Sequence, residues 1–174
     1  MQRRNRRDLL RRLLGSPAGG AGTYTDRTTF LTHVAAGFYE NPFDGAVPGP
    51  ITSLSYTNGG WAYSVTVGTG DLHNDTGLIS TSAASASIVV TFTGDPVTAV
   101  GGNFWAIDIA VQPTGTDVTL LLSDATTLTF TSTGPTDFRG LTTAAPITSI
   151  TIDVPDVPNP AWLTMDNLII GTGN

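Results

Sequence analysis

Two alternating segments near the middle of the chain constrain its fold most strongly. In residues 118–122, and again in residues 127–131, apolar side chains occupy every second position. Period-two alternation is typical of a half-buried strand, because successive side chains of a strand point to opposite faces. The residues between the two segments, Ser123–Thr126, have the chemistry of a hairpin turn. The sequence therefore predicts an antiparallel hairpin within an all-β fold.

The segment before this hairpin contains a pair of glycines. Residues 97–107 resemble a strand but include Gly101 and Gly102, and paired glycines in a strand predict a bulge or a close backbone approach. Asn58-Gly59-Gly60, between two further strand-like segments, is a strong hairpin signal. These patterns predict roughly eight to ten short strands in an antiparallel, jelly-roll-like β-sandwich.

Charge is distributed very unevenly along the chain. There is no Cys and no Lys, and all 8 basic residues are Arg. Six of them lie in the first 12 residues beside one Asp, so this segment carries +5, the remaining residues carry −11, and the whole chain carries −6. The sequence predicts a basic arm on an acidic body. The absence of Cys excludes disulfides, thiol nucleophiles and cysteine metal sites.

The basic arm is also amphipathic. Four leucines would form one apolar stripe of a short helix that arginines surround. Gly and Ala then dominate residues 15–22, which predicts a flexible linker, so we place the arm and linker at residues 1–23 and the sandwich domain at residues 24–174. The residues expected to dock on a partner are Arg3, Arg4, Arg6, Arg7, Leu9, Leu10, Arg11, Arg12, Leu13 and Leu14.

Three interpretations of the arm are open: a solvated tail, a docking segment for an acidic protein partner, or a nucleic-acid-binding segment. The acidic body disfavours nucleic acid, because phosphate binding requires a basic face. Residues 5–10 resemble the start of a twin-arginine export signal, but the long apolar stretch that such a signal needs does not follow. No transmembrane helix is predicted.

One short helix is predicted in the body, within residues 25–37. Thr25 or Asp26 would cap its start, and Gly37 would end it. His33 would lie beside the apolar face of this helix. A lone histidine there is expected to be a surface residue, because a catalytic or ligand role requires partners.

The order of six segments carries a family resemblance. They read YTDRTTFL, FYENPFDG, VTAVGGNFWAID, VTLLLSDATTLTFTS, PITSITI and TMDNLIIG, and they span about residues 24–171. In this order they resemble the jelly-roll domains of bacterial surface and secreted proteins that carry a PEP-CTERM sorting tail. The resemblance implies a non-enzymatic two-sheet sandwich, often suspected of binding carbohydrate or calcium.

The chain departs from that family in three respects. An export signal and a sorting tail are not found, and Ala125 stands where such hairpins usually carry Gly. Because Ala resists positive φ, we expect a four-residue loop built on a type I turn at this position.

Enzyme motifs are not found in the sequence. It contains no phosphate-binding loop, no HExxH, no GxSxG and no Ser/His/Asp set at a familiar spacing. With no Cys, no Lys and only 2 His, few residues could serve as nucleophile or base. We therefore expect a protein that is not an enzyme.

Asp166 is the strongest candidate metal ligand. It alternates with Leu168 and Ile170 in the last predicted strand, so it would share a face with apolar residues, where a carboxylate needs a partner. One candidate partner is calcium, held together with Glu40 or Asp44, because calcium prefers many oxygen ligands. The alternative is a carboxylate that accepts hydrogen bonds from backbone N–H groups at the end of the sheet.

Asp71, His73 and Asp75 alternate as metal ligands can. However, Thr76 stands where an EF-hand loop requires Gly, and a solvated polar loop is the alternative interpretation.

Five aromatic residues could form a platform on which sugars stack, although aromatic side chains more often belong to the core. They are Trp61, Trp105, Trp162, Tyr56 and Tyr63.

Two classes of function follow from these observations. The first is a structural or assembly protein, most simply a phage decoration or other virion-surface protein whose arm docks on the protein subunits of a larger particle. The second is a secreted or cell-surface sandwich module that binds carbohydrate or calcium. The arm favours the first, because an exported protein needs an apolar segment at that position.

Overall fold

The computed structural model describes residues 20–45, 47–74, 77–155 and 160–174. The predicted docking residues of the arm, and Asp75 and Thr76, lie outside these residues. The described part contains one helix, α1 (Arg27–Thr32), which lacks the length and the apolar composition needed to cross a membrane. It also contains 14 strands: β1 (Gly22–Tyr24), β2 (Tyr39–Asn41), β3 (Val47–Ile51), β4 (Ser53–Asn58), β5 (Trp61–Val67), β6 (Leu72–Asn74), β7 (Ile79–Thr81), β8 (Ile88–Phe92), β9 (Val97–Ile107), β10 (Asp117–Leu122), β11 (Thr127–Thr131), β12 (Phe138–Ile147), β13 (Ser149–Asp153) and β14 (Trp162–Gly171).

The strands form two antiparallel sheets. The large sheet has the order β1-β12-β9-β14-β7-β6-β3, and β2 pairs with β14 beside this path. The small sheet has the order β11-β10-β13-β8-β5-β4. The predicted all-β sandwich with one short helix is confirmed. More strands form than expected, because β1, β2, β6 and β7 have only three residues each and are too short to show alternation.

The core lies between the two sheets and follows the predicted alternation. On β10, Val118, Leu120 and Leu122 are buried, and Ile150 and Ile152 on the paired strand β13 are buried beside them. Each such side chain stabilises the fold by roughly 1.5–3 kcal/mol relative to an exposed one. The face of each sheet that points away from this core is called its outer face below.

Helix α1 covers one half of the outer face of the large sheet. Asp26 caps it, because its Oδ1 accepts a hydrogen bond of 2.7 Å from the Thr29 N–H. The ring of Phe30 packs on glycines of the sheet: a Cβ atom would lie 3.0 Å from that ring at Gly101 and 2.5 Å from it at Gly140. At Gly101 the close neighbours are aromatic side chains, whereas at Gly102 a Cβ atom would lie 3.2 Å from the backbone oxygen of Asp166, which is the predicted close backbone approach.

Two local predictions were wrong. The helix ends at Thr32, not at Gly37, because the following residues leave the helix and Val34 forms a bridge to Gly173 near the end of the chain. The turn between β10 and β11 does begin as a type I turn, but Ala125 then adopts a positive φ of 70°. The loop has three residues and the geometry of a glycine-bulge hairpin, although the residue in the left-handed position is Ala.

Candidate functional site

The half of the outer face that α1 leaves uncovered carries a row of four side chains on four adjacent strands. Thr164 on β14 lies directly opposite Trp105 on β9 and, on its other side, opposite Ser80 on β7. His73 on β6 lies opposite Ser80. Side chains directly opposite one another on paired strands share a face, so the row is continuous. It lines a depression of about 460 Å³, the first part of what we call the outer-face groove.

Trp105 is nearly buried within this row. Its side chain is only 4% exposed, yet the residue lines the depression. Beside it, the Ser80 and Thr164 hydroxyl oxygens lie 3.2 Å apart and form a hydrogen bond. The groove therefore presents a flat apolar ring next to polar groups that can both donate and accept.

The loop from Asp108 to Gln112 forms the wall of the groove. The Asp108 Oδ1 atom accepts hydrogen bonds from the N–H groups of Ala110 (2.8 Å) and Gln112 (2.9 Å), which fixes the loop. At its tip, Ile109 is 86% exposed and Val111 is 69% exposed. Val111 has a φ of 60°, and a β-branched residue in this region is strained. The loop thus holds two apolar side chains in solvent despite a cost in backbone energy.

A second depression, of about 620 Å³, lies on the other side of this loop and extends the outer-face groove. Trp162, Asp108, Thr114 and Thr116 line it. The Trp162 indole N–H donates to the Ser82 carbonyl oxygen at 3.2 Å, which sets the orientation of the ring. A third depression, lined by residues of both, connects the two. Each of the two larger depressions is within the size range of small-ligand sites in proteins, and mostly apolar walls with a few polar groups are typical of such sites.

One carboxylate lines the described part of the groove. Asp108 is the ionisable acidic residue among the described residues that line the three depressions. The arginines of the body are paired elsewhere: the Arg27 guanidinium binds both carboxylate oxygens of Glu40, and Arg139 forms an ion pair with Asp137. The sequence has no Lys, and neither described arginine lines the three depressions.

The five aromatic residues of the predicted platform do not come together. Tyr56 and Tyr63 stack in the core with ring centroids 5.2 Å apart, and burial raises the pKa of Tyr63 and raises that of Tyr56 to about 12. Trp61 donates its indole N–H to the Gly37 carbonyl at 2.7 Å, on β5 of the other sheet. Trp105 and Trp162 remain, and both line the groove.

A bulge in β14 changes the surroundings that the sequence predicts for Asp166. The register shifts between Asp166 and Ile169, so Leu168 and Ile170 point into the core while Asp166 lies on the outer face and is half-buried. The prediction that Asp166 shares a face with Leu168 and Ile170 was therefore wrong. Simple alternation fails here because Asn167, with a φ of 51°, adds a residue to the strand.

The Asp166 carboxylate has protein partners of its own. Its Oδ1 accepts from the Asn167 backbone N–H at 2.6 Å, and its Oδ2 accepts from the Asn167 side-chain amide at 2.9 Å. Burial raises the pKa of Asp166, the Asn167 N–H lowers it, and the negative charges of Asp44 and Glu40 raise it further. The hydrogen bond to a backbone N–H that the sequence offered as the alternative to calcium is present.

The acidic residues near Asp166 do not form a ligand set by themselves. Within the described residues, no three His, Asp or Glu side chains are placed to hold one ion, and Glu40 is engaged by Arg27. Calcium held by Asp166, Glu40 and Asp44 stays a prediction. The other predicted set of metal ligands was Asp71, His73 and Asp75. Of these, His73 lies in the groove on strand β6, where the sequence predicted a loop.

Sequence reasoning missed most of the groove. Ser80 and Thr164 were not singled out, because a hydroxyl residue on a strand is ordinary and only the register places the two beside Trp105. Asp108 gave a usable signal: an Asp directly after a strand and before short turn residues favours a loop closed by its own carboxylate.

Compared with known proteins, the chain matches no protein-family model and no curated protein. The resemblance to PEP-CTERM-associated domains therefore stays a prediction.

Proposed function

We propose that this chain is a non-enzymatic binding protein whose outer-face groove holds a glycan. The observation that carries the proposal is the row of Trp105, Thr164, Ser80 and His73, which continues past the Asp108 loop to Trp162. The groove lies on paired strands and is closed by a loop with its own hydrogen bonds, so it is formed before any ligand arrives. A preformed site avoids part of the entropy cost of binding.

The chemistry of the groove matches that of a sugar. A sugar ring has an apolar C–H face and a rim of hydroxyl groups. The Trp162 ring offers a flat apolar surface, and the Trp105 ring lies in the same groove. Ser80, Thr164 and Asp108 add hydroxyl and carboxylate groups that can exchange hydrogen bonds with ligand hydroxyls.

A matched pair of tryptophan variants tests this proposal. Trp162→Ala removes the ring that two of the depressions share, whereas Trp61→Ala removes an indole outside the groove. We expect Trp162→Ala to abolish retention of the protein on immobilised glycans and Trp61→Ala to leave it unchanged, with both variants folded by circular dichroism. Equal retention of both variants would contradict the proposal.

A second candidate function is assembly, with residues 1–14 as a docking arm on the protein subunits of a larger particle such as a phage virion. The charge of +5 on the arm against −11 on the rest of the chain favours it, because like copies or acidic partners would attract the arm. The exposed apolar tip at Ile109 and Val111 also suits contact with a protein. The location would then be the virion surface; a glycan-binding module would instead be extracellular or on a cell surface.

Deletion of residues 1–14 separates the two functions. The assembly function predicts that the truncated protein folds but no longer joins larger species in mass photometry, and that replacing Leu9, Leu10, Leu13 and Leu14 by Ser weakens assembly even at high salt. Salt screens exposed charges but leaves apolar contacts in place. Full assembly of the truncated protein would rule out the arm as the docking segment.

A further inference from the structure

We infer that the outer-face groove selects uncharged oligosaccharides and excludes acidic ones. This inference rests on the proposed glycan-binding function and adds the class of glycan. It follows from three features of the described residues: the pairing of the body's arginines, the placement of Asp108, and the length of the row on the large sheet.

The first feature is that neither of the described arginines lies in the groove, where it could pair with an acidic sugar. A carboxylate or sulfate group loses its hydration in a groove and needs a positive partner in exchange. The body has no Lys, the Arg27 guanidinium is occupied by Glu40, and Arg139 pairs with Asp137 while stacking 4.0 Å from the centre of the Phe130 ring. Neither arginine lines the depressions of the outer-face groove.

The second feature is a carboxylate at the junction of the groove. Asp108 lines both the large depression at Trp162 and the connecting one, so a bound chain passes close to it. Its Oδ1 is occupied by two backbone N–H groups of the loop, whereas no described residue donates to its Oδ2. That oxygen can accept a hydrogen bond from a neutral sugar hydroxyl, and it repels a negative group. A repulsive element of this kind produces specificity as effectively as an attractive one.

The third feature is length. The row from Trp105 to His73 crosses three strand spacings, which amounts to about 14 Å, and the groove then continues to Trp162. This exceeds one sugar ring, so the groove suits an oligosaccharide rather than a single residue. An acidic polysaccharide repeats its charge along the chain and would place negative groups near Asp108 in most registers.

The experiment compares neutral polysaccharides (laminarin, mannan and xylan) with acidic ones (alginate and hyaluronan) in affinity electrophoresis of the full chain. The basic arm can attract polyanions by itself, so the quantity scored is the part of the retardation that Trp162→Ala removes. Trp61→Ala is the control for loss of an indole outside the groove. We expect this groove-dependent retardation with at least one neutral glycan and with neither acidic glycan.

The variant Asp108→Asn tests the role of the charge. It keeps an oxygen that can accept from Ala110 and Gln112, so the loop should be retained. Removal of one nearby like charge is worth about 1 kcal/mol in water. Titrated at concentrations high enough to detect weak binding, the ratio of the dissociation constant for an acidic glycan to that for a neutral one should therefore fall roughly fivefold. An unchanged ratio would mean that the charge of Asp108 does not select the ligand.

The outcomes distinguish this inference from the proposed function. Groove-dependent retardation by alginate or hyaluronan would overturn the selection for uncharged glycans while supporting a glycan site. If neither class gives groove-dependent retardation, the proposed glycan-binding function itself fails, and the inference fails with it.

Discussion

Thr164 lies directly opposite Trp105 in the register between β14 and β9, and its hydroxyl bonds to Ser80 on the next strand. This arrangement places a polar group beside a nearly buried indole on a face that α1 does not cover. This half of the large sheet forms the floor of the outer-face groove, whereas the other half, under Phe30, is a second small core.

Ala125→Gly should stabilise the protein. Ala125 has a φ of 70°, which costs an L-residue about 1–2 kcal/mol, whereas Gly adopts it freely but loses more entropy on folding. The free energy of unfolding should therefore increase by roughly 0.5–1 kcal/mol, which is measured as a higher midpoint in urea unfolding. Ala110→Gly is the matched control, since Ala110 lies in a similar loop without positive φ and should show no gain. A lower midpoint for Ala125→Gly would refute the loop geometry.

Gly140→Ala should destabilise the packing of α1 on the large sheet. The new Cβ would lie 2.5 Å from the Phe30 ring, so the ring and α1 must move. We expect a loss of about 1–3 kcal/mol in the free energy of unfolding, as for other overpacked sites. Gly115→Ala is the control, because nothing lies within 4 Å of a Cβ at that position. Equal stability of the two variants would mean that Phe30 does not pack on the sheet as described.

The charge of Asp166 should make stability depend on pH in a definite direction. Its pKa is raised above the ordinary value of 3.8 in the folded protein, so the native state binds this proton more tightly than the unfolded state does. The stabilisation that comes from protonated Asp166 is therefore fully present below the pKa of this residue in the unfolded chain. It is lost as the pH rises through the pKa of Asp166 in the folded protein.

Asp166→Asn isolates that contribution. The stability of wild type relative to this variant should fall between roughly pH 3 and pH 6, measured by urea unfolding at each pH. The variant keeps an oxygen that can accept from the Asn167 N–H. If the free energy of unfolding of the wild type relative to the variant rises over this range instead, the folded protein favours the ionised carboxylate. A bound cation or a cationic side chain near Asp166 would have that effect.

Calcium should raise the melting temperature if Asp166, Glu40 and Asp44 help to hold it. Binding to the native state alone stabilises by about 2.7 kcal/mol at a hundredfold excess over the dissociation constant. The comparison is a thermal melt with calcium against one with chelator, and Asp166→Asn should remove the difference. Equal melting temperatures of the wild type with calcium and with chelator would contradict this hypothesis.

The sequence predicted the sandwich because alternation on β10, β11 and β13 is a local signal. It could not predict the groove, because Trp105, Ser80 and His73 are distant in the chain and only the register brings them to one row. The error at Asp166 has the same origin. A single added residue at Asn167 reverses which side chains face the core, and a period-two pattern has no means to anticipate it.

The most direct test of the glycan site follows the three indole N–H signals of the protein by nuclear magnetic resonance while a neutral polysaccharide is added. Trp61→Ala and Trp162→Ala assign the signals, and the remaining one belongs to Trp105. The structure predicts that the signals of Trp105 and Trp162 shift together, since both residues line the groove, and that the signal of Trp61 stays fixed by its bond to Gly37. Unchanged signals from Trp105 and Trp162 while the protein binds the glycan would contradict the assignment of the groove as its binding site.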